Sequence, residues 1–186
     1  GVCVVLSGQS DRAFATHRGA VAVAGLSDAD VERAREVGAR GGHVHVAGYY
    51  NMPAVRARVG ELFRAVREAG GSSSLNPQWD ADERWDGICE LSVAAGTAPD
   101  VLICSRTEAE NLAETHHPQA PLDLLDDGRA RCVVITSGSQ GARAFYRHVT
   151  SETQQVNMDA PRLAPEALVD ATGAGDAFAA GFLTKF

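Results

Sequence analysis

Residues 43–77 read HVHVAGYYNMPAVRARVGELFRAVREAGGSSSLNP, and the apolar spacing changes twice within them. His43–Ala47 is a short β run. Asn51 and Pro53 signal a helix start, since proline's missing N–H is no loss in a first turn. Val55, Val59, Leu62, Phe63 and Val66 then fall on one face at helical spacing. Gly70-Gly71 stops that helix, and Ser73–Leu75 is a brief strand ending at Asn76-Pro77. A strand, an amphipathic helix and a second strand make a right-handed βαβ unit, and with it a parallel sheet.

The same alternation continues outward. Val101–Cys104 reads as a buried strand and Thr107–Thr115 as a helix. His116–Arg131 is a polar connection with a helical turn at Leu122–Leu125, and Cys132–Thr136 is another buried strand. Ala142–Tyr146 and Gln154–Met158 pair as edge strands, Trp85–Ala95 is expected to be helical, and a closing helix begins near Ala174. Toward the start, Ser27 and Asp30 form a capping box for a helix through Val37, which Gly38 ends. Val2–Leu6 and Arg12–His17 make a hairpin around a turn at Gly8–Asp11. The expectation is an α/β fold with a mostly parallel sheet covered on both faces. A small antiparallel hairpin stands beside it as a lid. Residues 1–25 would form the lid and its return, and residues 26–186 one incomplete α/β core. Ligands of such sheets bind at the carboxyl ends of the strands.

The chain has 186 residues, 45% hydrophobic and 22% charged, as in ordinary globular domains. Its net charge of −7 argues against nucleic acid or an anionic membrane as partner. No apolar run reaches the ~20 residues of a membrane span. Four scattered cysteines, Cys3, Cys89, Cys104 and Cys132, show no C-x-x-C spacing and read as reduced core thiols, which points to the cytoplasm. The chain opens in a strand-like run without Met and ends within a helix pattern, so it reads as a fragment.

Three segments carry chemistry. In Gly173-Ala174-Gly175-Asp176, two glycines let backbone amides approach a phosphate, and the helix beginning there favours an anion. A carboxylate beside a phosphate suits the removal of a proton from an attacking hydroxyl. Thr136-Ser137-Gly138-Ser139-Gln140-Gly141 follows a strand and offers N–H and O–H donors to a nucleotide phosphate without being a Walker A loop. Ser105-Arg106-Thr107-Glu108-Ala109-Glu110 follows another strand, and one of its acids could hold Mg²⁺ through water. All three lie at or beyond strand ends and would converge on one edge of the sheet.

Together these segments resemble the ribokinase-like (PfkB) carbohydrate kinases. Asp170–Gly181 is similar to that family's C-terminal signature, Thr136–Gly141 to its nucleotide loop and Ser105–Leu112 to its Asn-Glu-x-Glu segment. Gly19-Ala20 and Ser74–Pro77 resemble further landmarks in the expected order. The resemblance implies a three-layer α/β/α core and ATP-dependent phosphorylation of a sugar hydroxyl. Asp176 would be the base, and Gly173, Ala174, Gly175 and the Asp176 amide would form the anion hole. Thr136, Gly138 and Gly141 would bind ATP, Glu108 would place Mg²⁺, and Asp170 is a candidate for a monovalent-cation loop. It also implies that the sugar-binding front section and the tail lie outside this chain, and it leaves open a homodimer through the lid. Ser105, Arg106 and Val21 depart from the family pattern, which has Asn, commonly an acid, and Asn at those places. Alternatives are a nucleoside kinase on the same fold and a non-catalytic nucleotide-binding remnant.

Other features read as structural. His43 and His45 face one side of a strand without a third metal ligand. His116-His117 lie in a loop. Trp79 and Trp85 pack under the sheet, and Arg56, Arg58, Arg64 and Arg67 form a solvated helix face.

Overall fold

Strands β3 (His43–Ala47), β4 (Ser72–Asn76), β5 (Val101–Ser105) and β6 (Cys132–Thr136) lie side by side in chain order and run parallel. They belong to a computed structural model that describes residues 1–7, 12–114, 120–147, 152–162 and 170–185. Two antiparallel strands, β7 (Ala142–Arg147) and β8 (Thr153–Met158), complete the six-stranded sheet. β1 (Val2–Ser7) and β2 (Arg12–His17) form a separate antiparallel pair, as expected; the turn between them lies outside the described residues.

Each parallel strand is added on the same side of the last, so right-handed crossovers put every connection on one face. That face carries α2 (Pro53–Arg56), α3 (Val59–Glu68), α4 (Arg106–Leu112) and α5 (Ala120–Asp126), with α1 (Asp28–Ala39) packed on α3. The main core lies there, around Phe63, Val66, Leu75, Leu102, Leu124, Val133 and Ile135. Inward residues of β5 and β6 alternate to the other face. There Val101, Ile103 and Val134 pack against Ala179, Phe178 and Phe182 of α6 (Ala174–Leu183). Sheet and two helical layers give the expected three-layer α/β/α arrangement.

Several local expectations are corrected by tertiary contacts. The Ser27–Asp30 capping box is present, but its helix runs past Gly38 to Ala39. Gly38 is buried against α3, where an added Cβ would lie 2.5 Å from the Val66 carbonyl oxygen. It is a close-approach residue rather than a stop. The predicted helix from Pro53 is broken at Ala57 and Arg58, and Arg58 leaves helical backbone at φ −124°. The arginine row is more than a solvated face. Arg58 donates to Asp28, Glu61 and the Leu26 carbonyl, and Arg67 to Asp100 and the Gly96 and Ala98 carbonyls.

Trp85–Ala95 is not an α-helix; only a 3₁₀ turn at Ile88–Glu90 forms. Buried Asp80 instead accepts hydrogen bonds from the N–H groups of Asp82, Arg84 and Trp85, and Trp85 sits at φ 53°. That turn lifts Trp79 to the surface, 47% exposed, while Trp85 stays against the core edge-on to Tyr50. The turn expected at Leu122–Leu125 is part of the longer α5. Cys104 is buried, but Cys3 is exposed on the hairpin rather than in the core. His116-His117 and the end of the helix predicted to Thr115 lie outside the described residues.

Candidate active site

β5 and β6 end level with each other, because Ser105 is the register partner of Thr136. The chain leaving each strand therefore opens onto the same space. A cavity of about 290 Å³ lies there, lined by Ser105, Arg106, Thr107, Thr136, Ser137, Gly138 and Gln140. Two segments 31 positions apart in sequence thus meet, as their placement after successive strands led us to expect.

Beyond β6 the chain makes a tight turn. Ser137 N–H donates to the Gly141 carbonyl at 2.8 Å, around a 3₁₀ turn at Gly138–Gln140. Gly141 has φ 84°, and a side chain there would strike the Met158 carbonyl. Glycine at 141 thus seats the turn against the end of β8, while Thr136 and Gly138 face the cavity. The Ser137 hydroxyl is buried and has no hydrogen-bond partner among the described residues. A buried hydroxyl without a partner beside a cavity is a group awaiting one.

Beyond β5, Ser105 caps α4. Its hydroxyl accepts from Glu108 N–H at 3.2 Å, and the Glu108 carboxylate accepts from Ser105 N–H at 2.7 Å. Burial pushes the Glu108 pKa up, against the opposing hydrogen bonds from Ser105. This carboxylate is occupied with backbone and does not line the cavity. No group of three or more His, Cys, Asp or Glu able to hold a metal occurs among the described residues. The residues present therefore fit Mg²⁺ only in its usual manner, bound largely by water and ligand phosphates with at most one or two carboxylates.

α6 begins on the opposite face of the sheet. Gly173 takes the left-handed conformation at φ 77° that its position requires. Ala174 N–H donates to the Ala171 carbonyl at 3.2 Å, and the first i→i−4 bond runs from Ala177 N–H to Gly173 at 2.9 Å. Gly175 and Asp176 N–H thus precede the first helical donor, Ala177 N–H, in the positive field of the first turn. An added Cβ at Gly175 would meet no atom of the described residues within 4 Å, so none of them crowds the backbone there. Asp176 is exposed. Asp170 organises the approach, with Oδ1 accepting from Thr172 N–H at 3.0 Å and its hydroxyl at 2.9 Å. Neither Asp170, Asp176 nor Gly173–Gly175 lines the β5–β6 cavity.

Asp176 instead lies within electrostatic range of His45. His45 belongs to a polar ladder that the periodicity of β3 and β4 does not reveal. His43 Nδ1 meets Ser72 Oγ, and His43 Nε2 and His45 Nδ1 both meet Ser74 Oγ, each at 2.7 Å. Burial lowers both imidazole pKa values. For His43 the neighbouring His45 adds to this and Asp100 opposes it; for His45 Asp176 opposes it. A signal was available in the alternation of His43/His45 and Ser72/Ser74, but only the strand register shows that the rows touch.

The profile described as pfkB family carbohydrate kinase matches residues 1–186. Acarbose 7(IV)-phosphotransferase from an Actinoplanes species is 38% identical over 100 residues, covering 53% of this chain and 30% of the relative. ATP-dependent 6-phosphofructokinase isozyme 2 from Mycobacterium tuberculosis is 39% identical over 74 residues, covering 40% of this chain and 18% of the relative. Among solved structures, adenosine kinase from Sinorhizobium meliloti superposes with a TM-score of 0.73 at 23% identity, covering 97% of this chain and 52% of that one. Fructokinase from Vibrio cholerae, with fructose, ADP and calcium ion bound, gives a TM-score of 0.58 at 26% identity, covering 77% and 45%. The chain thus spans about half the length of these structures, and less than a third of the curated relatives is matched.

Proposed function

The chain belongs to the pfkB family of carbohydrate kinases, and we propose that it supplies the catalytic part of an enzyme moving the γ-phosphoryl group of ATP to a primary hydroxyl of a small sugar. One observation carries this reading: the exposed Asp176 carboxylate stands in the first turn of α6, beside the amides of Gly175 and Asp176 and behind left-handed Gly173. The sugar relatives named above support a carbohydrate acceptor.

In the proposed reaction Asp176 accepts the proton of the sugar hydroxyl as its oxygen bonds to the γ-phosphorus. The bond from that phosphorus to the β–γ bridging oxygen breaks, and ADP leaves. The Gly175 and Asp176 amides, with that of Ala174 once it leaves Ala171, stabilise charge on the transferring oxygens. Thr136, Gly138 and the neighbouring hydroxyls hold the phosphates at the strand ends. Magnesium bound with those phosphates would supply compensating positive charge, and Glu108, once its carboxylate leaves Ser105 N–H, would be the residue to hold it through water. Asp170, at the start of the turn into α6, is the residue for a monovalent cation. The β1–β2 hairpin acts as a lid or a dimer contact; its Val2, Val4, Leu6 and Phe14 side chains are exposed apolar surface.

The test is Asp176→Asn in the full-length protein, assayed for ADP release against a panel of sugars and nucleosides. Turnover is expected to fall by roughly 10²–10⁴ with the melting temperature unchanged. Near-normal turnover rejects the base assignment, and a preference for nucleosides rejects the sugar acceptor.

A further inference from the structure

The seven residues around the β5–β6 cavity include no carboxylate and a single cation, Arg106. Its guanidinium Nη2 donates to Gln140 Oε1 at 2.5 Å, joining the start of α4 to the turn after β6. Gln140 is a neutral amide, and Arg106 makes no ion pair with a carboxylate among the described residues. Arg58, Arg67 and Arg147, by contrast, each hold an acid. The lining also brings hydroxyls from Ser105, Thr107, Thr136 and Ser137, of which the buried Ser137 Oγ has no partner among the described residues. An acid-free, hydroxyl-rich recess with an uncompensated guanidinium is chemistry for an oxyanion. Its volume is at the low end of small-molecule sites, about 300 Å³, so it suits one part of a ligand such as a polyphosphate tail.

We infer that Arg106 binds the phosphates of the nucleotide donor, exchanging its hydrogen bond to Gln140 for a bidentate contact with phosphate oxygens and setting the affinity of this site for a diphosphate or triphosphate. The inference rests on the proposed kinase reading and deepens it. Arginine adds to the recess a fixed positive charge that magnesium alone would otherwise provide. Until the anion arrives Gln140 occupies one guanidinium N–H across the recess, and so competes with the ligand for it.

The experiment is calorimetric binding of ADP and of adenosine to the full-length protein, wild type against Arg106→Gln, Arg106→Lys and Gln140→Ala. Arg106→Gln is expected to weaken ADP about ten- to hundredfold, as loss of a charge-assisted pair does, and to leave adenosine unchanged. Arg106→Lys keeps the charge without the fork and falls between. Gln140→Ala removes the competitor and is expected to leave ADP affinity equal or raised. Arg106 is exposed, so melting temperatures should stay constant across the set. Equal ADP binding by wild type and Arg106→Gln overturns the inference and leaves the kinase reading standing. Equal losses for ADP and adenosine also overturn it, because the residue would then act through the fold. A wild type that binds neither ligand rejects the kinase reading itself.

Discussion

Glu108 and Ser105 close the first turn of α4 reciprocally, each side chain accepting from the other's backbone N–H. The acid nominated for metal is therefore already half-buried and hydrogen-bonded. Its pKa is raised above the ordinary 4.5, mainly by burial. A folded-state pKa above the unfolded value contributes stability below the unfolded pKa, lost as pH rises through the folded one. Glu108→Gln keeps an acceptor for Ser105 without the charge. Its stability relative to wild type should rise as pH climbs above about 4.5, read by denaturant melts at several pH values; a flat difference would contradict the burial argument.

Gly38 on α1 is pressed against the Val66 carbonyl of α3. Alanine would gain about 1 kcal/mol in helix propensity. The clash is with backbone in a packed pair of helices, and overpacking of this kind costs about 1–3 kcal/mol. Gly38→Ala is expected to be net destabilising in a urea melt, and a stabilised variant would show that the two helices slide apart freely.

Asp80 holds three backbone N–H groups from a position only 4% exposed. Each donor left without its acceptor costs about 1–3 kcal/mol where water cannot reach it. Asp80→Ala should lower the melting temperature and shift tryptophan fluorescence, since Trp85 and Trp79 stand edge-on 5.0 Å apart on the loop it organises. Asp80→Asn, which retains one acceptor oxygen, should lose less.

The His43–Ser72 and His45–Ser74 contacts predict acid lability. Both imidazoles have folded-state pKa values below the usual 6.5. Their contribution is present above 6.5 and lost as pH falls through the folded values, because the unfolded chain then binds more protons. Replacing both with Gln should flatten the stability curve below pH 6.5; an unaltered slope would place the acid sensitivity elsewhere.

What was legible in the chain was local. The strands at 43–47, 101–104 and 132–136 are apolar or alternating runs bounded by turn residues, and only the second is longer in the fold, by one residue. Ser27–Asp30 announces its capping box three residues apart, and Gly173-Ala174-Gly175-Asp176 announces a helix start. The misread elements depend on contacts that apolar spacing does not reveal. Trp85–Ala95 has helical spacing, yet Asp80 captures the amides at 82, 84 and 85 for a different turn. Gly38 looks like a helix stop until α3 is laid against it.

The amino-acid order by itself determined the sequence of strands and helices, the hairpin, the helix caps and the acid–glycine signature before α6, because these depend on hydrogen bonds and sterics within a few residues. Only the tertiary structure decided that Ser105 meets Thr136, that Arg106 reaches Gln140 and that His45 shares a ladder with Ser74. Those contacts join residues about 30 positions apart, and they come into being only when burial of the sheet's apolar faces sets the register of one strand against the next.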